Sequence, residues 1–128
     1  MKILVTGSNG QLGSELKLLA NKLQLMEFFF SDSKQLDITK EQVVEALFEE
    51  HHFDYCINCA AYTAVDQAEK DAESAALVNA VGSANLAKVC SREGAVLIHV
   101  STDFVFDGAN NTPYNERSPT QPLGVYGQ

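Results

Sequence analysis

The chain has 128 residues, which is the usual size of one domain. Its 45% hydrophobic and 20% charged residues are typical of a globular protein and argue against disorder. A formal net charge of −8 repels a nucleic-acid backbone, so we expect no nucleic-acid partner. The apolar runs are far shorter than the about 20 residues of a membrane span, and the N-terminus lacks a signal-peptide core. We therefore expect a cytoplasmic chain without a membrane partner.

The first half of the chain alternates between strand and helix patterns. The apolar run at residues 3–5 predicts a strand, and residues 11–23 predict a helix with apolar positions at Leu12, Leu16, Leu19 and Leu23. Residues 26–30 predict a second strand. Thr39, with Gln42 three residues later, has the capping-box pattern that begins a second helix.

The second half continues the alternation. Residues 55–61 predict a third strand, and the alanine-rich residues 65–93 predict a helix that ends at Gly94. Its sheet-facing side is predicted to contain Leu77, Ala80, Val81, Ala84, Ala87 and Lys88. Residues 95–101 predict a fourth, buried strand. This order predicts an α/β fold, a Rossmann-like doubly wound parallel sheet of about four strands. The long loop from Thr102 onward follows a strand, where such sheets bind ligands.

The cysteines and histidines give no metal-site pattern. Cys56, Cys59 and Cys90 are an odd number without a second closely spaced pair, so we interpret them as buried reduced thiols and expect no bound metal. His99 lies in a strand-like run and is predicted to be a packed side chain rather than a ligand.

A glycine-rich turn joins the first strand to the first helix. Its glycines recur every three residues in the segment Gly7-Ser8-Asn9-Gly10-Gln11-Leu12-Gly13. Glycines there permit a tight turn and a close approach to a diphosphate, while the helix N-terminus favours negative charge. Such a triplet alone also fits a purely structural turn. Asp32, which follows the second strand, is spaced as a ribose-binding carboxylate and favours a dinucleotide site.

Several further segments carry a family resemblance. With Thr6 ahead of the glycines, the spacing is similar to the extended form of the short-chain dehydrogenase/reductase superfamily. The chain resembles the dTDP-4-dehydrorhamnose reductase family within it through Leu36-Asp37-Ile38-Thr39, residues 58–66, Val78-Asn79, residues 101–108, Pro113-Tyr114-Asn115-Glu116 and residues 122–127. The resemblance runs over the whole chain.

The resemblance implies the catalytic groups. In that family a Ser or Thr, a Tyr, and a Lys four residues after the Tyr perform the reaction, and Thr102 and Tyr126 match the first two. The matching lysine would be residue 130, beyond the 128 residues, as would the C-terminal substrate-binding region. We therefore expect residues 1–128 to be the N-terminal portion of an NAD(P)-binding Rossmann domain, without reductase activity alone.

The resemblance also implies binding residues. Asp37 and Ile38 match positions that hold the adenine, and a second set matches positions along the diphosphate and the nicotinamide ribose, namely Ala60, Ala61, Tyr62 and Tyr126. Asp103 and Phe104 flank the substrate together with Thr102. Asp32 suits the ribose hydroxyl of NADH and repels the phosphate of NADPH, which Ser33 and Lys34 could offset. The family favours NADPH, with NADH as the alternative.

Three functions remain open on this basis. The first is NAD(P)H-dependent reduction of the 4-keto group of dTDP-4-dehydro-L-rhamnose to dTDP-L-rhamnose. The second is a non-catalytic regulatory subunit, because the beta subunit of methionine adenosyltransferase is similar to this family. The third is a cofactor-binding half-domain only. The unpaired edge of the fourth strand favours self-association, with a homodimer as the expected assembly.

Overall fold

Four parallel strands form one sheet in the computed structural model, which describes residues 1–128, and their order is β2-β1-β3-β4. The strands are β1 (Lys2–Thr6), β2 (Glu27–Ser31), β3 (Tyr55–Asn58) and β4 (Val96–His99). The helices are α1 (Gln11–Ala20), α2 (Glu41–His51), α3 (Val65–Ala68), α4 (Ala72–Ala76) and α5 (Ser83–Glu93). A π-helical turn, Leu77–Gly82, joins α4 to α5, and 3₁₀ turns occupy Asp103–Val105 and Val125–Gly127. The predicted α/β class and parallel sheet are confirmed.

Helices cover the two faces of the sheet unequally. On one face, Leu4 of β1 and Cys56 of β3 join a buried core that α2 and α5 complete with Val44, Phe48, Leu86, Val89 and Cys90. On the other face, Phe30 pairs with Val5, and the Lys17 ammonium of α1 lies 5.8 Å from the centre of the Phe30 ring. The sheet is therefore wound on both faces, with most of its apolar core beneath α2 and α5.

The strand order creates a crevice. The chain runs from β1 to β2 on one side of the sheet and then crosses to β3 on the other side of β1. The segments that follow β1 and β3 therefore diverge, and the space between them at the carboxyl ends of the strands is where sheets of this topology bind ligands.

The predicted contact face of the last helix is wrong. Leu77, Val81 and Lys88 are exposed, whereas the buried positions along this stretch are Gly82, Asn85, Leu86, Val89 and Cys90. The contact side begins with a glycine and an asparagine, which give no apolar signal. The Asn85 amide instead donates to the Ile38 carbonyl oxygen at 3.0 Å. The helix prediction itself needs a second correction, since residues 65–93 divide into α3, α4, the π turn and α5.

The fourth strand is also not buried as predicted. Val96 and Ile98 are 52% and 47% exposed, because β4 is an edge strand and no helix covers this face of it. Leu97, which points the other way, packs against the core. Gly94 does end α5, in the left-handed conformation with φ 74°.

The start of α2 and the end of α1 differ from the prediction. The residue that precedes α2 is Lys40, without a side-chain cap, because the Thr39 hydroxyl donates instead to Asp37 Oδ1 at 2.6 Å. Helix α1 ends at Ala20, and its Leu12 and Leu19 are exposed. No helix in the chain combines the length and the apolar character that a bilayer crossing requires.

The thiols follow the prediction in part. All three cysteines are free, with Cys56 and Cys90 buried and Cys59 half-buried. The neighbouring Cys90 thiol, together with burial, raises the pKa of the Cys56 thiol far above its ordinary value. Burial raises the pKa of Cys59 as well. Cys56 and Cys59 therefore stay protonated near neutral pH and act as small apolar groups.

Candidate functional site

A cleft of about 1310 Å³ opens at the carboxyl ends of β1, β3 and β4. Its lining brings together most of the predicted site residues, which are Gly7, Asn9, Gly10, Gln11, Leu12, Asp32, Ser33, Asp37, Ile38, Ala60, Ala61, Tyr62, Thr102 and Tyr126. Ser8 and Gly13 are buried beneath the glycine turn, and Asp103 and Phe104 lie outside the lining. Residues as distant in sequence as Gly7 and Tyr126 thus share one concave surface, because the parallel strands end at the same edge.

The glycine turn is packed too tightly for side chains at two of its positions. Gly7 has φ +63°, and a Cβ added there would lie 2.5 Å from the Ala60 nitrogen. A Cβ at Gly13 would lie 2.5 Å from the Gly7 carbonyl oxygen. At Gly10, the only atom within 4 Å of an added Cβ is that same oxygen, at 3.3 Å. Gly7 and Gly13 therefore serve the packing of the turn, whereas Gly10 keeps the cleft side of the turn open.

Backbone donors at the start of α1 have no acceptor in the protein. The first helical hydrogen bond runs from the Ser14 nitrogen to the Gly10 carbonyl oxygen at 3.0 Å. The amides of Gln11, Leu12 and Gly13 make no hydrogen bond. Gln11 and Leu12 line the cleft, so their N–H groups and the positive end of the helix dipole favour an anionic ligand there.

Asp32 is fixed at the end of β2 by three hydrogen bonds. Its Oδ1 accepts from the Lys34 and Gln35 amides at 2.9 and 3.1 Å, and its Oδ2 accepts from Asn9 Nδ2 at 2.7 Å. Lys17 holds Asn9 in turn, with its ammonium 2.9 Å from Asn9 Oδ1. A carboxylate has about four acceptor positions, so one stays available for a hydroxyl in the cleft.

A polar network supports the floor of the cleft. The buried Asn58 side chain accepts from the Thr6 hydroxyl at 2.6 Å and from the Ala60 amide at 3.1 Å. Its Nδ2 lies 3.0 Å from His99 Nδ1 and 3.4 Å from the Ser83 hydroxyl. Asn58 therefore ties β1, β3, β4 and α5 together beneath the segment that begins at Ala60. His99 is exposed and hydrogen-bonded, so its prediction as a packed side chain is wrong.

A second asparagine holds the segment after β3. Asn79 accepts from the Tyr62 amide at 2.8 Å and donates to the Tyr62 carbonyl oxygen at 3.0 Å. Asn79 lies in the π turn, and π turns often orient functional side chains. Sequence reasoning assigned no role to Asn58 or Asn79. The signal that could have found Asn58 is an amide within an apolar strand, which needs buried partners.

Asp37 and Ile38 form another wall of the cleft. Hydrogen bonds from the Thr39 side chain and from Lys40 lower the pKa of the Asp37 carboxyl from its ordinary value. Ile38 is buried against Gly82, where an added Cβ would lie 2.7 Å from the Ile38 side chain. This wall is therefore rigid and carries a negative charge near neutral pH.

Thr102 and Tyr126 line the same cleft. The Thr102 hydroxyl accepts from the Phe104 amide at 3.2 Å and lies 3.3 Å from Asp103 Oδ1. It thus begins the 3₁₀ turn Asp103–Val105 as a cap. The Tyr126 ring contacts the Phe104 ring edge-on, with centroids 5.5 Å apart, and its hydroxyl makes no hydrogen bond within the chain. The phenol is therefore free to donate to a ligand.

Comparison with known proteins assigns the family. The family model described as RmlD substrate binding domain matches residues 1–128. The chain belongs to this family. The dTDP-4-dehydrorhamnose reductase of Mycobacterium tuberculosis strain H37Rv is 45% identical to this RmlD-family chain over 98% of its length. The family resemblance stated from the motifs is confirmed.

Solved structures agree with the RmlD-family fold. A dTDP-4-dehydrorhamnose reductase from Clostridium acetobutylicum has a TM-score of 0.96 and 42% identity, covering 99% of this chain and 45% of that one. The reductase from Bacillus anthracis, solved in complex with NADP, has a TM-score of 0.94 and 39% identity, covering 98% and 45%. The chain spans 41% of the M. tuberculosis relative.

Proposed function

We propose that this chain forms the NADP(H)-binding part of a dTDP-4-dehydrorhamnose reductase, which reduces dTDP-4-dehydro-L-rhamnose to dTDP-L-rhamnose. One observation carries the proposal. The unpaired amides of Gln11 and Leu12, at the start of α1, open onto the same cleft as Thr102 and Tyr126. A dinucleotide site and a proton donor are thereby combined. The names of the relatives and the NADP in the B. anthracis structure support it.

The residues at the glycine turn fit the cofactor. The amides of Gln11 and Leu12 would bind its diphosphate, and Gly10 leaves the space that the diphosphate needs. Asp37 and Ile38 would hold the adenine, and Ala60, Ala61 and Tyr62 would lie along the diphosphate and the nicotinamide ribose. Asn58 and Asn79 fix that last segment from below.

The remaining cleft residues act on the sugar. When bound, the cofactor supplies a hydride to the keto carbon. Tyr126 donates a proton to the keto oxygen, which its unpaired hydroxyl permits. Thr102 donates a hydrogen bond to the same oxygen as negative charge develops there. To do so, its hydroxyl turns away from Asp103 Oδ1, to which it donates in the absence of substrate. Asp103 and Phe104 act from outside the lining, by orienting Thr102 and by packing on Tyr126.

A direct assay tests this function. The protein expressed from the whole reading frame that contains these residues is mixed with NADPH and dTDP-4-dehydro-L-rhamnose, and absorbance at 340 nm is followed. We expect substrate-dependent oxidation of NADPH with formation of dTDP-L-rhamnose. If NADPH binds but no dTDP-sugar is reduced, the regulatory-subunit alternative is favoured. If NADPH does not bind, the reductase function is excluded.

Asp32 sets the preference between the two nicotinamide cofactors. Its remaining acceptor position suits the ribose hydroxyl of NADH, whereas its charge repels the phosphate of NADPH by about 1–4 kcal/mol at contact distance. We expect Asp32→Asn to raise the ratio of the NADH Kd to the NADPH Kd by about tenfold or more, measured by titration calorimetry. Asp66→Asn, at an exposed position outside the cleft, is the control and should leave the ratio unchanged. An unchanged ratio in Asp32→Asn would contradict the ribose assignment.

The other partners stay predictions. A homodimer, a cytoplasmic location and the lack of nucleic-acid or membrane partners rest on composition and the exposed edge of β4.

A further inference from the structure

The segment that carries Thr102 and Tyr126 is attached to the rest of the fold at one polar point. Residues 101–128 form several hydrogen bonds among themselves, including the Gln121 amide to the Val105 carbonyl oxygen at 2.9 Å. A single hydrogen bond joins them to residues 1–100. In it, Glu69 Oε1 accepts from the Val125 amide at 2.8 Å.

The position of Glu69 makes this bond informative. Glu69 follows the last residue of α3, and α3 and α4 both pack near the turn Val125–Gly127. A carboxylate that accepts from an amide forms a charge-assisted bond, which is shorter and stronger than a neutral one. The amide that donates this bond belongs to Val125, the first residue of the turn, which immediately precedes Tyr126. Glu69 therefore acts on the turn from a separate element, as a capping residue acts on its own helix.

Gly124 gives an independent indication that the turn is built around this carboxylate. Its φ of −115° and ψ of 168° are extended backbone that any residue adopts. A Cβ there would lie 2.8 Å from Glu69 Oε1, and no other atom is within 4 Å of it. A side chain at position 124 would therefore force the Glu69 carboxylate to move.

Gly127, at the other end of the turn, is also tightly packed. A Cβ at Gly127 would overlap the Phe104 carbonyl oxygen, and the Phe104 ring contacts Tyr126 edge-on. The turn is therefore held between Phe104 on one side and Glu69 on the other. Without Glu69, only the contacts within residues 101–128 and apolar packing would place the phenol relative to the cleft.

We infer that Glu69 is a positioning residue for Tyr126. By accepting from the Val125 amide, Glu69 anchors the turn Val125–Gly127, here called the tyrosine turn, to the end of α3. The inference rests on the proposed function only where it concerns turnover. The anchor itself is a property of this chain and is measured without substrate.

The first test is hydrogen exchange of the Val125 amide, followed by NMR on the chain labelled at valine nitrogen. We expect exchange at least tenfold faster in Glu69→Ala and within threefold of the parent in Glu69→Gln, whose amide oxygen still accepts. Glu73→Ala, an exposed glutamate in α4 without a side-chain hydrogen bond, is the matched control and should not change the rate. Equal exchange in the parent and Glu69→Ala overturns the anchor.

The second test is a double-mutant cycle between positions 69 and 124. Gly124→Ala alone should displace the carboxylate and accelerate Val125 exchange at least tenfold. In a Glu69→Ala background the same substitution should add less than twofold, because its only close neighbour is gone. Independent, multiplicative effects would overturn the inference.

The third test separates positioning from general stability. In the reductase assay with the whole reading frame, Glu69→Ala should lower kcat about tenfold or more with the KM for NADPH within twofold, since small misplacement of a reacting group is costly. Glu69→Gln should restore most of the kcat. Loss of NADPH binding together with kcat would contradict a role confined to the tyrosine turn. A parent enzyme without turnover refutes the proposed function, whereas the exchange tests still decide the anchor.

Discussion

Replacing Tyr126 by phenylalanine is expected to lower kcat about 10²–10⁴-fold, the usual cost of losing a positioned general acid. The ring of Tyr126 is half-buried and contacts Phe104 through its edge, a contact that phenylalanine retains. The hydroxyl makes no hydrogen bond within the chain, so its removal leaves no buried group unpaired. The substitution therefore removes the proton donor, and the free energy of unfolding should stay unchanged.

Tyr114→Phe is the matched control for this measurement. Tyr114 also contacts a phenylalanine, because it stacks on Phe106 with ring centroids 4.0 Å apart. Unlike Tyr126, it lies outside the cleft. Its hydroxyl donates to Asp107 Oδ1 at 3.0 Å, so its loss affects only the loop. Steady-state oxidation of NADPH with dTDP-4-dehydro-L-rhamnose should give nearly the parent kcat for Tyr114→Phe. If Tyr126→Phe keeps more than half of the parent kcat, Tyr126 is not the acid.

The parts of the site that could be predicted depend on short stretches of sequence. The glycine turn lies between a strand and a helix that are adjacent in the chain, and Asp32 follows the next strand directly. Each of these features is fixed by local backbone geometry, so spacing alone located them. Thr102 and Tyr126 required the family resemblance, since a strand-end threonine and a half-buried tyrosine have no specific pattern of their own.

The features that sequence reasoning missed depend on contacts between distant residues. Asn58 meets Ser83 and His99 only because β3, β4 and α5 come together, and Glu69 meets Val125 across 56 positions. The contact face of α5 was missed for a related reason. Its contact side begins with Gly82, just before α5, and Asn85, whose roles are close approach and a hydrogen bond to Ile38 rather than apolar burial.

Local competition explains the missed helix start. Thr39 has the right residue type and spacing for a cap, yet Asp37 lies two residues earlier and binds both its amide and its hydroxyl, at 3.1 and 2.6 Å. Aspartate commonly forms such a turn with its own backbone. The capping-box pattern treats Thr39 as an acceptor for the helix amides and does not consider that Asp37 accepts from Thr39 instead.

Replacing Gly13 by alanine is expected to cost both stability and cofactor binding. The added Cβ would lie 2.5 Å from the Gly7 carbonyl oxygen and 2.6 Å from Ser8 Cα. Both are backbone atoms of a turn that cannot retreat, because Gly7 itself lies against Cys59 and Ala60. Helix α1 must therefore move away from the turn. Overpacking of this kind costs about 1–3 kcal/mol, and a rigid backbone neighbour places Gly13→Ala at the upper end.

Gly10→Val separates the packing of the turn from the binding of the cofactor. The nearest atom to its Cβ is the Gly7 carbonyl oxygen at 3.3 Å, and Gly10 has extended backbone with φ −77° and ψ 178°. Urea unfolding should therefore give Gly10→Val a free energy of unfolding close to that of the parent and Gly13→Ala one that is lower. Calorimetric titration with NADPH should show binding weaker by at least about tenfold for both. In Gly10→Val the isopropyl group occupies the space left for the diphosphate, and in Gly13→Ala the displaced helix α1 moves its unpaired amides. Parent-like NADPH binding by Gly10→Val would place the diphosphate elsewhere, and parent-like stability of Gly13→Ala would show that the turn can relax.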